Sequence, residues 1–246
     1  RVVVDGIALS HNASGLRGHR QRVQLVLQDP DDQLFSADVR ADVSFGPINL
    51  GLDDAEVRVR VAEALELLDV TELADRPVHQ LSYGQRKRVA IAGAVAMRPQ
   101  VLLLDEPTAG LDPRAVTTLR AALSNLEARG TTVVVSTHDI DFAWEWADEV
   151  GVVVDGIVHQ GSTVKIMTDE ALLGRAHLGA PWPVRLLRSL GHEIDVVAPP
   201  RTVSDVARLL VAHAHRLDHF VVAARARGVV RAVEHELAPR DTEQGV

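Results

Sequence analysis

VLLLDEPTAGLDP, residues 101–113, is the stretch that decides the fold. Its first four residues, Val101-Leu102-Leu103-Leu104, are apolar throughout. That predicts a strand buried on both faces, as in a parallel sheet covered by helices. Asp105 and Glu106 follow directly, so both carboxylates are expected at the C-terminal end of that strand, where open α/β sheets bind ligands. Asp112-Pro113 then reads as a helix cap with proline at the first helical position, and Gly130 ends that helix. Its inner face is Val116, Leu119, Leu123 and Leu126.

Outward from this stretch, short β-branched runs alternate with helical patterns, which makes the chain an α/β protein. The strand candidates are Val2–Val4, Val23–Leu27, Thr132–Ser136 and Val150–Val154. Residues 29–97 interrupt them with helix. Asp53 and Glu56 have capping-box spacing, with Leu52 and Val57 placed as a hydrophobic staple. Val57, Val61, Leu65 and Leu68 share one helical face. A second helix starts near Ser82 and ends before Arg98-Pro99. Its stretch from Val89 to Met97 is apolar nearly all round and is expected to be buried. After residue 159, Pro181, Pro183, Pro199 and Pro200 break the chain into short pieces. Thr202 and Asp205 suggest one more capped helix, with Val206, Leu209 and Leu210 inward. Residues 217–232 fit strand and helix equally.

The 246 residues are 46% hydrophobic, enough for one α/β domain and a smaller appendage. A net charge of -8 with only 3% aromatics argues against nucleic acid as a partner. Without cysteine there is no disulfide scaffold and no thiolate metal site. No apolar run reaches the roughly 18 residues of a membrane span, and the first residues lack a signal pattern. The expectation is a soluble chain whose membrane link comes through a partner.

Two adjacent acids at a strand end can divide labour. Asp105 can hold Mg²⁺ through its water shell, while Glu106 polarises an attacking water. Alone, such a pair reads better as a solvated strand end; the context changes that. Ser82 caps a helix N-terminus, and Gly84 lets backbone amides come close to an anion.

Residues 101–113 resemble the Walker B segment and D-loop of ATP-binding-cassette ATPases, and LSYGQRKRVAIAG, residues 81–93, resembles that family's signature motif. Gln28 looks like the Q-loop glutamine, and His138, in Ser136-Thr137-His138-Asp139, like the switch histidine. The resemblance implies a P-loop NTPase-like parallel sheet with a helical subdomain, binding ATP and Mg²⁺. It assigns Mg²⁺ to Gln28 and Asp105, water activation to Glu106, and the γ-phosphate contact to His138. In this family the signature of one subunit completes the site of a second, so Ser82, Gly84, Gln85 and Asp112 are expected at a two-fold interface.

QDPDDQLFSADVRADVSFGP, residues 28–47, is similar to the Q-loop region of energy-coupling-factor ATPases, above all the nickel and cobalt importers. Tyr83, in place of the usual first glycine of the signature, is similar to that branch too. This implies import of cobalt, nickel or a vitamin. A transmembrane coupling subunit would dock near residues 29–50, a separate membrane component would bind the substrate, and a second ATPase subunit, identical or not, would complete the pair. The chain would sit at the cytoplasmic face of the membrane. Residues 1–158 would form the ATPase domain, with its helical signature subdomain at about 29–97. Residues 159–246 would form a dimerising extension.

A phosphate loop needs G-x-x-x-x-G-K-[ST]. The only lysines are Lys87 and Lys165, and neither stands in such a context. The family places this loop upstream of the Q-loop, so the expectation is a chain lacking that N-terminal segment and binding ATP weakly by itself. The alternative is a non-hydrolysing cassette with a dimerising or regulatory role. A soluble cassette of DNA repair or translation would need a coiled coil or a second signature. His213, His215 and His219 suggest nickel or cobalt but read better as surface histidines. Arg86-Lys87-Arg88 reads as a solvated helix face, with nucleotide or a partner's acids as the other candidates.

Overall fold

The computed structural model describes residues 3–4, 6–8, 10, 12–195 and 198–214. In chain order the elements are β1 (Val3–Val4), β2 (Ile7–Ala8), α1 (Ala13–Arg22), β3 (Val23–Val26), α2 (Val39–Asn49), α3 (Asp54–Leu67) and α4 (Tyr83–Ala96). Then come β4 (Val101–Asp105), α5 (Pro113–Ala128), β5 (Thr132–Ser136), α6 (Ile140–Trp146), β6 (Glu149–Val154) and β7 (Ile157–Ser162). The last helices are α7 (Thr163–Met167), α8 (Glu170–Arg175), α9 (Trp182–Ser189) and α10 (Val203–Ala214). Two compact units divide the chain, Arg1–Arg185 and Leu186–Val246.

The expected parallel sheet is present, in the order β3-β4-β5. Its register aligns Leu25, Leu103 and Val134 in one row and Val26, Leu104 and Val135 in the next. Only alternate residues of β4 are fully covered, which corrects the expectation of a strand buried on both faces. Val26, Leu102 and Leu104 join one cluster with Leu119 and Leu123 of α5, Val89 and Ile91 of α4, and the α3 stripe Val57, Val61, Leu65 and Leu68. Leu103 is half-buried, and its neighbours Leu25 and Val134 stay 51% and 49% exposed. Side chains alternate across a sheet, so helices gathered against one face leave this apolar row outside the core.

Of the other strand candidates, Val2–Val4 is described at Val3–Val4, which among the described residues pairs only with β2, antiparallel. Val150–Val154 is a strand, but it pairs antiparallel with β7. Asp155 and Gly156 join the two, both at positive φ, 52° and 77°, the conformation that two-residue hairpin turns require.

The helices follow their sequence signals closely. Asp53 caps α3 by accepting from the Glu56 amide at 2.9 Å. The Glu56 carboxylate takes Arg60 and Arg98 as ion-pair partners. From Val89 to Met97 the chain is buried except at Gly93. α2 crosses the end of α4 at Gly46, where a β-carbon would collide with Met97 Sδ. In α5, Asp112 caps, Pro113 opens the helix, and Leu119, Leu123 and Leu126 are buried as expected. In the second unit, Thr202 and Asp205 bond reciprocally at the start of α10, at 2.9 and 3.2 Å. The Thr202 hydroxyl and amide, with Arg208, draw the Asp205 carboxyl down to about 2. Val206 is buried behind them.

Candidate functional site

β4 delivers its acids as a strand end must, but the backbone then turns sharply. Glu106 donates its amide to Ser136 O at 2.9 Å, prolonging the ladder with β5, and adopts φ +43°. A non-glycine residue in the left-handed region costs about 1–2 kcal/mol. The turn aims the carboxylate at the loop after β5. Glu106 Oε1 accepts from the His138 amide at 2.9 Å and pairs with His138 Nδ1 at 2.8 Å. Oε2 accepts from Thr137 Oγ1 at 3.1 Å. Asp105 Oδ1 accepts from the Ser136 hydroxyl. Hydrogen bonding and charge from Glu106 raise the His138 pKa above its ordinary value, although the imidazole is 80% exposed. Asp105 and Glu106, adjacent at the end of β4, and His138, 32 residues further on, therefore form one cluster.

The start of α4 is built as its sequence implies. Ser82 Oγ accepts from the Gln85 amide at 3.3 Å, and Gln85 Oε1 accepts from the Ser82 amide at 2.9 Å, a reciprocal capping box. Ser82 is exposed, so this helix N-terminus faces outward. Gly84 serves packing, because a β-carbon there would come within 3.3 Å of Leu111. Gly110, at φ +75°, accepts the Tyr83 ring, whose edge would lie 2.6 Å from a β-carbon at that position. Asp112 Oδ1 accepts from the Ala115 amide at 2.8 Å.

Gln28 lies two residues beyond β3 and is exposed. Its carbonyl is held by the helical subdomain, accepting from Tyr83 OH at 3.2 Å and from Lys87 Nζ at 2.9 Å. Lys87 Nζ also donates to Glu106 O. One ammonium thus places the backbones of Gln28 and Glu106 within two hydrogen bonds of each other.

The basic run of α4 is not a solvated face. Lys87 has no exposed surface. Arg86 reaches Leu81 O at 2.6 Å and pairs with Asp31, and Arg88 reaches the carbonyls of Leu68 and Asp69 at 3.0 and 2.7 Å. Packing against loops that are far away in sequence buries these cations, and no local pattern reports it. Two further residues escaped the sequence reading. The Gln33 side chain bridges Leu25 O and Leu27 N at 3.1 and 2.8 Å. Asp42, buried, holds the amides of Phe35 and Ser36 at 2.9 and 2.8 Å. His213 lies in α10; His215, His219 and the 217–232 stretch fall outside the described residues.

These groups fit a magnesium nucleotide. Asp105 and Gln28 offer hard oxygen donors, and the outward N-terminus of a 14-residue helix suits a phosphate. Among the described residues no group of three or more His, Cys, Asp or Glu side chains forms a metal cage. Mg²⁺ does not require one, because it is held through one or two carboxylates plus water and phosphate.

The ABC transporter family profile matches residues 1–109. The chain is 54% identical to a putative ABC transporter ATP-binding protein of Streptomyces coelicolor, over 85% of this chain and 74% of that protein. It is 51% identical to the cobalt import ATP-binding protein CbiO of Rhodobacter capsulatus, over 77% and 68%. Among solved structures it is similar to cbiO1 from Clostridium perfringens, part of the transporter complex cbiONQ, at TM-score 0.63 and 40% identity over 76% and 75% of the two chains. A dimeric ATP-binding cassette in a post-hydrolysis state with ADP and Pi matches at TM-score 0.58 and 28% identity, over 65% and 72%. The chain belongs to the ATP-binding-cassette transporter ATPases.

Proposed function

We propose that this chain energises an energy-coupling-factor type importer of cobalt or nickel, with a vitamin as the other substrate class. The observation that carries the ATPase chemistry is the Glu106 carboxylate held by Thr137 and His138 beside Asp105. The cobalt branch is supported by likeness to CbiO and by the 28–47 stretch. The non-hydrolysing alternative has no such support.

In this reading Glu106 orients and polarises the attacking water, which needs a carboxylate with a fixed direction. Three donors from the loop after β5 supply that direction, and exposed His138 faces the γ-phosphate. Asp105 and Gln28 would hold Mg²⁺, which supplies charge neutralisation on the phosphate oxygens when bound. The Ser82-capped end of α4 serves nucleotide held by a second ATPase subunit, with Asp112 beside it. Residues 159–246 act in dimerisation.

The coupling subunit docks in a groove of about 940 Å³. Leu34, Phe35, Phe45, Ala94, Met97 and Arg20 line it. Phe35 and Phe45 meet edge to face at 4.7 Å and are both exposed, as befits a site for an apolar helix of a partner.

The test is ATP hydrolysis and cobalt uptake by the transporter assembled with a cassette that carries the phosphate loop. Glu106→Gln is expected to lower turnover by on the order of 10²- to 10⁴-fold, the usual worth of a general base, while ATP binding persists and uptake falls in parallel. Near-normal hydrolysis in this variant would move the role to His138.

A further inference from the structure

Lys87 is the most deeply buried charge in the described chain, yet its bonds go to carbonyls rather than to a carboxylate. Burying an ammonium is costly unless it is well partnered. Here two partners are backbone oxygens of loops 59 and 19 residues away, Gln28 O and Glu106 O. Burial pushes the Lys87 pKa down, while Glu106, Asp105 and Asp29 act to keep it charged. The Glu106 backbone is in the left-handed region, so a fixed carbonyl there matters to where the carboxylate points.

The other end of the tie leads to the docking groove. Asp31, shortly after Gln28, pairs with Arg86, the neighbour of Lys87 in α4. Gln33 is bonded to β3, and Asp42 holds the amide of Phe35. The segment between Gln28 and Phe35 is thus held at Asp31, Gln33 and Phe35.

We propose that Lys87 is a positioning residue for hydrolysis, whose ammonium ties the loop after Gln28 to the backbone of Glu106. It sets the carboxylate. This rests on the ATPase reading above.

The experiment compares the parent chain with Lys87→Met, which keeps bulk but has no donor, and Lys87→Gln, which keeps a neutral donor. In the assembled transporter, Lys87→Met should lower kcat on the order of tenfold per folded molecule, as for loss of a charge-assisted hydrogen bond. KM for ATP should barely change, and Lys87→Gln should recover part of the loss. In the isolated chain, hydrogen exchange should rise together in residues 27–34 and 104–111 for Lys87→Met, and the two segments should regain protection together in Lys87→Gln. A purely structural lysine would shift stability without splitting kcat from KM. Equal kcat for parent and Lys87→Met, or unchanged exchange in both segments, overturns the inference alone. A parent transporter whose cassette carries the phosphate loop and still hydrolyses no ATP overturns the ATPase reading, and this inference with it.

Discussion

His138 and Glu106 offer the most direct residue-scale test. The imidazole donates to a carboxylate that is itself fixed by Thr137, so its protonated form is favoured and its pKa lies above 6.5. A raised folded-state value means that the contact contributes fully below the unfolded value and is lost as pH rises through the folded one. NMR titration of the imidazole should therefore give a midpoint above 6.5 that falls toward 6.5 in Glu106→Gln. A midpoint at or below 6.5 with Glu106 intact would mean that the pair does not form in solution. The residue types of this cluster were legible in sequence, since Asp-Glu after an apolar run and His after a strand are local patterns. Lys87 was not, because its neighbours come from two other segments and its own surroundings read as a charged helix face.

At the scale of elements, α5 separates two sources of stability. Asp112→Ala removes the bond to the Ala115 amide and should cost about 1 kcal/mol, the typical worth of an N-cap. Leu119→Ala empties a fully buried position and should cost about 2–5 kcal/mol. Urea unfolding checks the order. A larger loss for the cap would mean that Asp112 supports more than its own helix. Caps and a period of 3.6 made α3, α4 and α5 readable before any contact was known. β7 was not readable, because Ile157-Val158-His159-Gln160-Gly161-Ser162 shows no strict alternation. Its only local signal is the Asp155-Gly156 turn before it.

At the scale of the molecule, the Ser82-capped N-terminus is exposed within its own chain, as a site that acts on a second subunit must be. In a cassette that carries the phosphate loop, Ser82→Arg should block ATP-driven pairing and hydrolysis while leaving nucleotide binding by the monomer largely intact. Sizing with ATP on a Glu106→Gln background, beside a binding titration of the monomer, separates the two effects. Loss of monomer binding would place the signature within its own site.

What the sequence determined by itself was whatever is encoded locally: the class of fold, the capped helices, the three strands of the parallel sheet, and the acids and histidine that meet at the end of β4. These depend on periodicity, on caps and on motif residues a few positions apart, so one stretch of chain suffices to display them. The tertiary structure alone decided which face of the sheet is covered, that Val150–Val154 turns back on β7 instead of joining the parallel sheet, and that Lys87 joins Gln28 to Glu106. Those outcomes depend on which distant segments meet, and the energy of burying a side chain is set by that meeting rather than by its neighbours in sequence.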